Sequence, residues 1–355
     1  MIRHIPFEQK ELEIIEELPS FFGPNFPGTK LRNTPIAWRE NVISMFSEKH
    51  PYWMSVPSDQ AMMVHDLYNN TLGRGWGKDM TDVFGLEWEW VESAGGSIVR
   101  PGTGVLLENV NEWKEKVKIP NIDEWDWERA AKTTQIDRRL FTVMSFVNGF
   151  WFERLVSFME FAPAAMALLD EEQVPAIHEL FQTTTELGMK LVDKFCEYWP
   201  SIDGFNIHDD WGSQQAPFFS QEVADEIFLP YMKMLCDHIH SKGRYATLHS
   251  CGHTEGRIET IIAAGFDAWD PQPMNDTQKL WEKYGDKIVI SVIPDAYDPS
   301  TTSEEDQRKL ARQFADRFCV PGKPAQIGFY ATPFLTSAFE EELYKASRQF
   351  YAERS

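Results

Sequence analysis

The sequence predicts an α/β protein folded as a (β/α)8 TIM barrel with an N-terminal extension. After about residue 140, short apolar runs alternate with amphipathic segments, an alternation typical of a parallel sheet and its helices. The chain has 355 residues, a length at which closed barrels of this kind form a single domain. We therefore predict an extension over residues 1–45 and one barrel domain over residues 46–355.

The predicted strands are short apolar runs bounded by turn-forming residues. They are PYWMSVP (51–57), LFTVMSFV (140–147), IDGFNIH (202–208), RYATLHS (244–250), FDAWD (266–270), KIVISVI (287–293) and AQIGFYA (325–331). Before them, the extension is expected to hold one short acidic helix. Irregular backbone should follow that helix, because FFGPNFPGTKLRNTP (21–35) is rich in Gly, Pro and Asn.

The predicted helices are the amphipathic segments between these strands. They are RENVISMFSEK (39–49), the apolar stretch 151–169, VPAIHELFQTTTELGMKLVDKFCEYW (174–199), QEVADEIFLPYMKMLCDHIHSKG (221–243), EGRIETIIAAG (255–265), TQKLWEKYG (277–285) and SEEDQRKLARQFADRFC (303–319). The first of these helices precedes the first predicted strand and the others separate later strands, so strands and helices alternate after about residue 140.

Composition excludes several classes of function. The net charge of −21 argues against a nucleic-acid or anionic-membrane surface, because phosphate contacts need clustered Lys and Arg. The four cysteines make no CxxC pair, which indicates a reducing compartment. The N-terminus lacks an apolar signal core and no run is long enough to cross a bilayer, so we expect a cytoplasmic protein. Twenty-five Phe and 13 Trp leave some rings to line a flat, apolar pocket.

Polar residues cluster where four predicted strands end. These stretches are HDDWG (208–212), HSCGH (249–253), DPQ (270–272) and PDAYD (294–298). In a TIM barrel the active site lies at the carboxyl ends of the strands, so we expect these stretches to converge.

The HSCGH stretch predicts a zinc site. His249 and Cys251 lie two apart on an extended segment, so both side chains point to the same side. Imidazole and thiolate are the usual ligands of Zn²⁺. Spacing alone leaves open a structural turn with a buried Cys and a hydrogen-bonded His. A catalytic zinc needs about three protein ligands, and His253 is a further candidate.

The HDDWG stretch supplies the predicted catalytic residues, His208 and Asp210. Of the two adjacent carboxylates, one is expected to cap a helix or bond a loop amide, and the other to bind metal or handle a proton. We favour Asp210 for the site. Glu153 and Arg154 are predicted to form an ion pair near the rim, with either a structural or a functional role.

Four aromatic residues are predicted to bind the substrate. Trp53, Trp151 and Trp211 each follow or end a predicted strand, where the pocket residues of a barrel arise. Tyr330, in the last predicted strand, is grouped with them. Together they predict a flat and apolar pocket.

The chain resembles the uroporphyrinogen decarboxylase superfamily and, within it, the zinc-dependent, corrinoid-linked methyltransferases. The segments that carry the resemblance are TPIAWRENVISMF…PYWM (34–54), DVFGLEW (82–88), GFWFERLVSFMEF (149–161), IHDDWGSQQAPFFSQEVADEIFLPYMK (207–233), LHSCGHTEGRIETIIAAGFDAWDPQP (248–273) and YGDKIVISV (284–292). The N-terminal FGPNFPGTKLRNTPIAWREN (22–41) is similar to the branch that demethylates methoxylated aromatics.

Two departures bear on the branch. The decarboxylases carry an arginine-bearing loop for a polyanionic porphyrinogen, and PYWMSVPSDQAMMVHD (51–66) has no arginine. Related methyltransferases complete the His-x-Cys pair with a cysteine near the last strand, but IGFYATP (327–333) has none. The resemblance then implies either that the third zinc ligand is a carboxylate such as Asp210 or that the site differs from that of the relatives.

The resemblance implies a methyltransferase that moves a methyl group from a small substrate, an aryl methyl ether, to cob(I)alamin on a separate corrinoid protein. Zinc would assist the transfer. The alternative is a metal-independent decarboxylase of the same superfamily. A non-enzymatic alternative is a corrinoid-protein chaperone or binding module on this barrel.

Overall fold

The computed structural model describes residues 5–18, 29–75, 77–94 and 96–354, and the chain divides into two compact units. Unit 1 comprises Met1–Met62, Asp137–Thr142 and Asp267–Ser355, and unit 2 comprises Met63–Ile136 and Val143–Phe266. The predicted boundary between an extension and one barrel domain stays a prediction. Most of the predicted irregular stretch 21–35 lies outside the described residues.

The strands and helices follow in chain order. The strands are β1 Ile14–Leu18, β2 Thr29–Arg32, β3 Gln60–Met63, β4 Met80–Thr81, β5 Glu87–Val91, β6 Gly96–Val99, β7 Phe141–Phe146, β8 Gly204–His208, β9 Tyr245–Ser250, β10 Ala268–Pro271, β11 Val289–Val292 and β12 Ala325–Ile327. The α-helices are α1 Trp38–Ser47, α2 Asp66–Asn69, α3 Trp113–Lys116, α4 Trp127–Thr133, α5 Phe152–Met159, α6 Phe161–Ala167, α7 Val174–Tyr198, α8 Gln221–Val223, α9 Leu229–Ser241, α10 Ile258–Ala264, α11 Thr277–Tyr284, α12 Glu304–Phe318 and α13 Ser337–Glu353. A short π-helical turn, Ala224–Phe228, joins α8 to α9.

Unit 1 contains a parallel run of three strands, in which β11 pairs with both β10 and β12. A helix follows each strand: α11, α12 and α13 in turn. Its N-terminal segment is fixed by the carboxylate of Glu11, which accepts hydrogen bonds from Arg348 at 2.8 Å and Tyr344 at 2.6 Å. These buried charge-assisted bonds make the segment part of the unit's core.

Unit 2 contains a second parallel run, in which β8 pairs with both β7 and β9. α5, α6 and α7 follow β7, and α8 and α9 follow β8. A three-stranded antiparallel sheet, β4–β5–β6, belongs to the same unit. The predicted α/β class is confirmed, since parallel strands alternate with helices in the manner of a TIM barrel. Within the described chain, no helix combines the length and the apolar character that a membrane span requires.

One predicted strand is wrong, and two predicted helices differ in form from the expectation. The short helix expected in the extension is a 3-10 helix, Gln9–Leu12, and the acidic residues after it form β1, which pairs with β2 and sets Glu17 opposite Lys30. The predicted strand 51–57 is not formed, since Asn41 Oδ1 accepts the backbone N–H groups of Tyr52 and Trp53, and a strand follows only at β3. The predicted helix 151–169 is broken at Glu160, whose φ of 69° ends α5 before α6 begins.

Candidate metal centre and its cavity

The candidate centre lies where β8 and β9 end. His208 and His249 are direct partners in the register of these parallel strands, so both imidazoles leave the sheet at the same edge. Asp210 follows β8 and Cys251 follows β9. Each of these four residues offers one ligand atom, and the four atoms lie within 4.8 Å of one another. The structure therefore brings together both predicted metal ligands and both predicted catalytic residues.

Short contacts connect the four side chains. Cys251 Sγ lies 3.5 Å from His249 Nε2, and His208 Nε2 lies 3.7 Å from Asp210 Oδ1. The two imidazole rings have their centroids 5.0 Å apart. The backbone N–H of Cys251 donates to Asp210 Oδ1 at 2.7 Å. This last bond ties the loop after β9 to the loop after β8, which fixes the spacing of the donors.

Two glycines allow the loops to approach so closely. Gly252 has a φ of 89°, and a Cβ placed there would lie 2.0 Å from the carbonyl oxygen of Gly212. Any side chain at either position would separate the loops that carry Asp210 and Cys251. His253 follows Gly252, and its Nδ1 lies 3.0 Å from the carbonyl oxygen of Gln215. His253 is outside the group of four donors.

Glu153 and Arg74 orient His208. Glu153 Oε2 lies 2.6 Å from His208 Nδ1, and Arg74 donates to the other oxygen of the same carboxylate. Because a carboxylate only accepts, Nδ1 carries the proton and Nε2 presents its lone pair. A carboxylate behind a histidine is the usual support of a metal-binding imidazole.

Burial and charge set the protonation of the donors. Burial lowers the pKa of His208, so its imidazole is neutral near pH 7. Burial raises the pKa of Asp210, but the neighbouring His208, Arg74 and His249 outweigh it and hold that pKa below its usual value. Burial, with the charge of Asp210, raises the pKa of the Cys251 thiol well above its usual range. A cation that binds here must therefore displace the thiol proton.

Asp209 points away from the donors. Its carboxylate accepts the backbone N–H groups of Phe152 at 3.2 Å and Glu153 at 2.9 Å, and the indole N–H of Trp211 at 2.7 Å. Burial raises the pKa of Asp209 to about 7. Since Phe152 and Glu153 open α5, Asp209 caps this helix and so positions the carboxylate that holds His208.

The predicted ion pair between Glu153 and Arg154 is wrong. Successive helical residues point about 100° apart, so the two side chains diverge. Arg154 donates to the carbonyl oxygens of Leu72 and Asn148, and its nearest carboxylate is that of Asp82, at 3.9 Å. The partner of Glu153 is Arg74, and the two are 79 positions apart. No local spacing in the sequence indicates that pairing.

A cavity of about 510 Å³ adjoins the donors, because Asp210 and Glu153 line it. Among the described residues, its wall includes one indole and three phenyl rings: Trp88, Phe152, Phe161 and Phe218. Its charged residues are Arg74, Arg100, Glu153, Glu160 and Asp210. Aliphatic side chains from β6 and the loop after it complete the apolar wall. Such a cavity is of the size and character that small organic ligands occupy.

The four aromatic residues predicted to bind substrate lie elsewhere. Trp151 and Trp211 are fully buried and are not among the described residues that line the cavity. Trp151 donates to Thr185 Oγ1 at 3.0 Å. Trp53 is buried in the core of unit 1, and Tyr330 is a half-buried residue of unit 1. Their substrate-binding role stays a prediction.

The aromatic residues that do line the cavity were not predicted from the sequence. Trp88 is in β5, inside EWEWV, where alternation of polar and aromatic residues indicates a strand with one buried face. Phe218 follows the HDDWG loop, and Phe161 opens α6. The alternation in β5 was the available signal for Trp88, and no comparable signal marks Phe152, Phe161 or Phe218.

Comparison with known proteins supports the fold. No family model matches the chain, and no curated protein matches it. A methyltransferase from Methanosarcina mazei superposes with a TM-score of 0.56 at 11% identity, covering 88% of this chain and 98% of that chain. A xylose isomerase-like TIM barrel protein from Mycobacterium smegmatis has a TM-score of 0.28 at 11% identity and covers 56% of this chain and 82% of that chain. A 2,3-dimethylmalate lyase has a TM-score of 0.32 at 8% identity and covers 87% of this chain and 86% of that chain. The last two likenesses are too weak to argue from, and the first shows the fold.

Proposed function

We propose that this chain is a methyltransferase that takes a methyl group from an aryl methyl ether and passes it to cob(I)alamin on a separate corrinoid protein, assisted by zinc. One observation carries the proposal: four side chains that could hold a metal ion gather beside an aromatic-lined cavity, and Asp210 belongs to both. The likeness in fold to a methyltransferase supports it. The cytoplasmic location stays a prediction.

The donors fit zinc. Imidazole and thiolate ligands favour Zn²⁺ over Mg²⁺ or Ca²⁺, and Asp210 supplies a carboxylate of the kind that the resemblance implies as a further ligand. His208, Asp210, His249 and Cys251 would hold the ion. When bound, zinc supplies Lewis-acid stabilisation of the negative charge that develops on the ether oxygen as the methyl group leaves.

The protein's own residues prepare this site. Glu153 keeps the proton of His208 on Nδ1, so Nε2 is available as a ligand and not as an acid. Asp210 holds the amide of Cys251 and with it the direction of the thiol. Trp88, Phe152, Phe161 and Phe218 offer faces and edges on which an aryl ring can pack. The catalytic role of His208 and Asp210 is therefore to bind and orient.

The decarboxylase alternative is less well supported. A porphyrinogen carries many carboxylates and needs unpaired cations to bind them. The two arginines of the cavity already have carboxylate partners: Glu153 for Arg74, and Asp79 for Arg100 at 2.6 Å. A metal-independent reaction would also give no role to the four donor side chains that lie together at the ends of β8 and β9. Release of carbon dioxide from a carboxylated substrate would revive this alternative.

Metal analysis tests the site first. Purified protein is expected to hold about one zinc per chain, and Cys251→Ser should lose most of it, because a hydroxyl is a poor zinc ligand. Cys196→Ser is the matched control, since Cys196 lies in α7 and outside the donor group. Equal zinc in the wild type and in a His249→Ala, Cys251→Ser double variant would make this stretch a structural turn.

Turnover tests the reaction. Methoxybenzenes are incubated with cob(I)alamin, once with a corrinoid protein and once with the free cofactor. We expect demethylation to need the corrinoid protein for full rate and Cys251→Ala to abolish it. The acidic surface should make docking weaken as salt rises. Methyl loss without any cobalamin would contradict the proposal, and absence of turnover with every methylated compound would favour a binding module.

A further inference from the structure

We propose that the cavity selects aryl methyl ethers that carry no anionic substituent, and that Glu160 enforces this selection. The methyl ether of the substrate is taken from the proposed function, on which the inference rests. The selection against anionic substituents is argued from the charges of the cavity wall. An aryl ring needs apolar surface, whereas an aryl carboxylate also needs a cation without a partner. Among its described side chains the cavity offers the apolar surface but no unpartnered cation. A zinc ion held by the Asp210 carboxylate and the Cys251 thiolate would add no net positive charge.

The apolar surface is a group of packed phenyl rings. Phe161 and Phe218 have ring centroids 4.7 Å apart at an interplanar angle of 68°. Phe152 lies 5.8 Å from Phe218 and 6.1 Å from Phe161. Phe161 is 46% exposed although it lines the cavity, so its ring has surface left for a ligand to cover. Edge and face contacts of this kind recognise a ring without any charge on it.

Among the described residues, both arginines of the wall have carboxylate partners. Arg74 Nε has no hydrogen-bond partner within the described part of the chain, but it is buried and so does not face a ligand. Arg74 donates to Glu153, which in turn holds His208. Arg100 faces three carboxylates, with its nearest atoms 2.6 Å from Asp79, 3.4 Å from Glu87 and 3.7 Å from Glu89. Because the carboxylates around Arg100 outnumber it, the guanidinium adds no net positive potential to the cavity.

Glu160 adds a negative charge to the same wall. It lines the cavity, and among the described residues its carboxylate is part of no ion pair. Its backbone has φ 69° and ψ 166°, a conformation that residues other than glycine rarely adopt. The turn is held because the N–H of Glu160 donates to Val156 and its carbonyl accepts from Ala164. The backbone thus fixes the position of Glu160 in the cavity wall, and its exposed carboxylate adds a negative charge there.

Direct binding of two matched probes tests the selection. 4-Methoxybenzyl alcohol and 4-methoxybenzoate differ in charge while keeping the methoxyphenyl group. With zinc-loaded protein at low salt and pH 7.5, we expect the alcohol to bind roughly tenfold more tightly by calorimetry. Equal or tighter binding of the benzoate by the wild type would overturn the substrate class. Failure of both probes to bind would overturn it as well.

The variant E160Q tests the residue. Removing the charge should raise the affinity for the benzoate and reduce the preference by about threefold or more. E171Q removes the same charge from an exposed position outside the cavity wall, and its preference should match the wild type. An unchanged preference in folded E160Q would overturn the role of Glu160. If E160Q does not fold, the wild-type comparison still decides the substrate class.

The readout separates this inference from the proposed function. Binding of the probes does not depend on cobalamin or on methyl transfer. Selective binding of the alcohol without demethylation would refute the methyltransferase and leave the selectivity standing. Demethylation with a preference for the benzoate would support the methyltransferase and refute the selectivity.

Discussion

Asp59 in unit 1 and Asp209 in unit 2 are held by donors of the same kind. Trp53 donates its indole N–H to Asp59 at 2.8 Å, and Trp211 donates to Asp209 at 2.7 Å. Backbone N–H groups complete each set, and burial raises the pKa of both carboxyl groups to about 7. Asp82 and Trp88 form a third such pair at 2.9 Å. The local arrangement is therefore a recurrent way to satisfy a buried tryptophan and aspartate.

What surrounds the two aspartates differs. Asp59 borders a space of about 20 Å³, which is room for one water molecule. Asp209 is followed by Asp210, which belongs to the donor group and lines the cavity of about 510 Å³. A buried aspartate that accepts an indole N–H is thus not by itself a sign of function. The adjacent residue, and the strand that brings it to the sheet edge, make the second region a candidate site.

The largest expected effect comes from Asp209→Ala. It leaves three buried donors without an acceptor, those of Phe152, Glu153 and Trp211, at a cost of about 1–3 kcal/mol each. Asp59→Ala leaves two, so it should destabilise less. Thermal melting of the zinc-loaded proteins measures the order. Only Asp209→Ala should also lose zinc, because α5 then no longer fixes Glu153. If Asp209→Ala and Asp59→Ala lose equal amounts of stability and of zinc, Asp209 has no special role in the candidate site.

Glu153→Gln should weaken zinc binding by roughly 10–100-fold, the usual effect of removing a carboxylate that supports a ligating histidine. The amide can no longer hold His208 Nδ1 as strongly, and Arg74 loses its charged partner. Competition with a chromogenic chelator gives the affinity. Asp59→Asn is the control, since it changes a buried carboxylate in unit 1 and should leave zinc affinity as it is. If Glu153→Gln binds zinc with wild-type affinity, the support of His208 by Glu153 does not contribute to zinc binding.

Asp59 should also make the wild type less stable as pH rises from 6 to 7.5. Its pKa is about 7 in the folded protein and near 3.8 when unfolded, so the folded state binds more protons between these values. The stabilisation is complete below about pH 4 and is lost as pH passes 7, at up to about 1.4 kcal/mol per pH unit. Asp59→Asn keeps one acceptor oxygen for Trp53 and Val56, which both bond Oδ2. Its melting temperature should therefore fall less over that range, and an identical slope would contradict the raised pKa of Asp59.

Sequence patterns predicted the fold class and the donor residues, but not the residues that hold the donors in position. The alternation of strands and helices predicted β7, β8 and β9 closely, and parallel register then brings polar strand ends together. His249, Cys251 and Asp210 could be proposed because each belongs to a short polar stretch at such an end. The supports depend on pairs far apart in sequence, such as Arg74 with Glu153, and on side-chain direction within α5. Neither leaves a periodic trace in the sequence.

The tryptophans show the same limit in another form. The end of a strand places a residue near the rim, but it does not decide whether the side chain points into the cavity or under it. Trp151 and Trp211 turn into the core because their indole N–H groups find buried acceptors there, in Thr185 and Asp209. Periodicity identifies a buried aromatic residue. It does not distinguish one that packs in the core from one that contacts a ligand.

The smallest expected effect is the change in ligand affinity in Trp211→Phe. It tests whether Trp211 packs in the core or contacts the ligand. The indole packs against Phe219 and Phe228, with ring centroids 5.2 Å and 5.3 Å away. Trp211→Phe should therefore cost stability, as Trp53→Phe should in unit 1, while changing the affinity for 4-methoxybenzyl alcohol by less than about threefold. Phe161→Ala provides the contrast, because Phe161 lines the cavity and is partly exposed, and it should weaken the same probe roughly threefold to tenfold. Calorimetry on the three folded variants gives the comparison. A loss of affinity in Trp211→Phe as large as that in Phe161→Ala would mean that Trp211 contacts the ligand, as the sequence predicted, and that the Asp209–Trp211 pair, unlike Asp59–Trp53, belongs to the binding site.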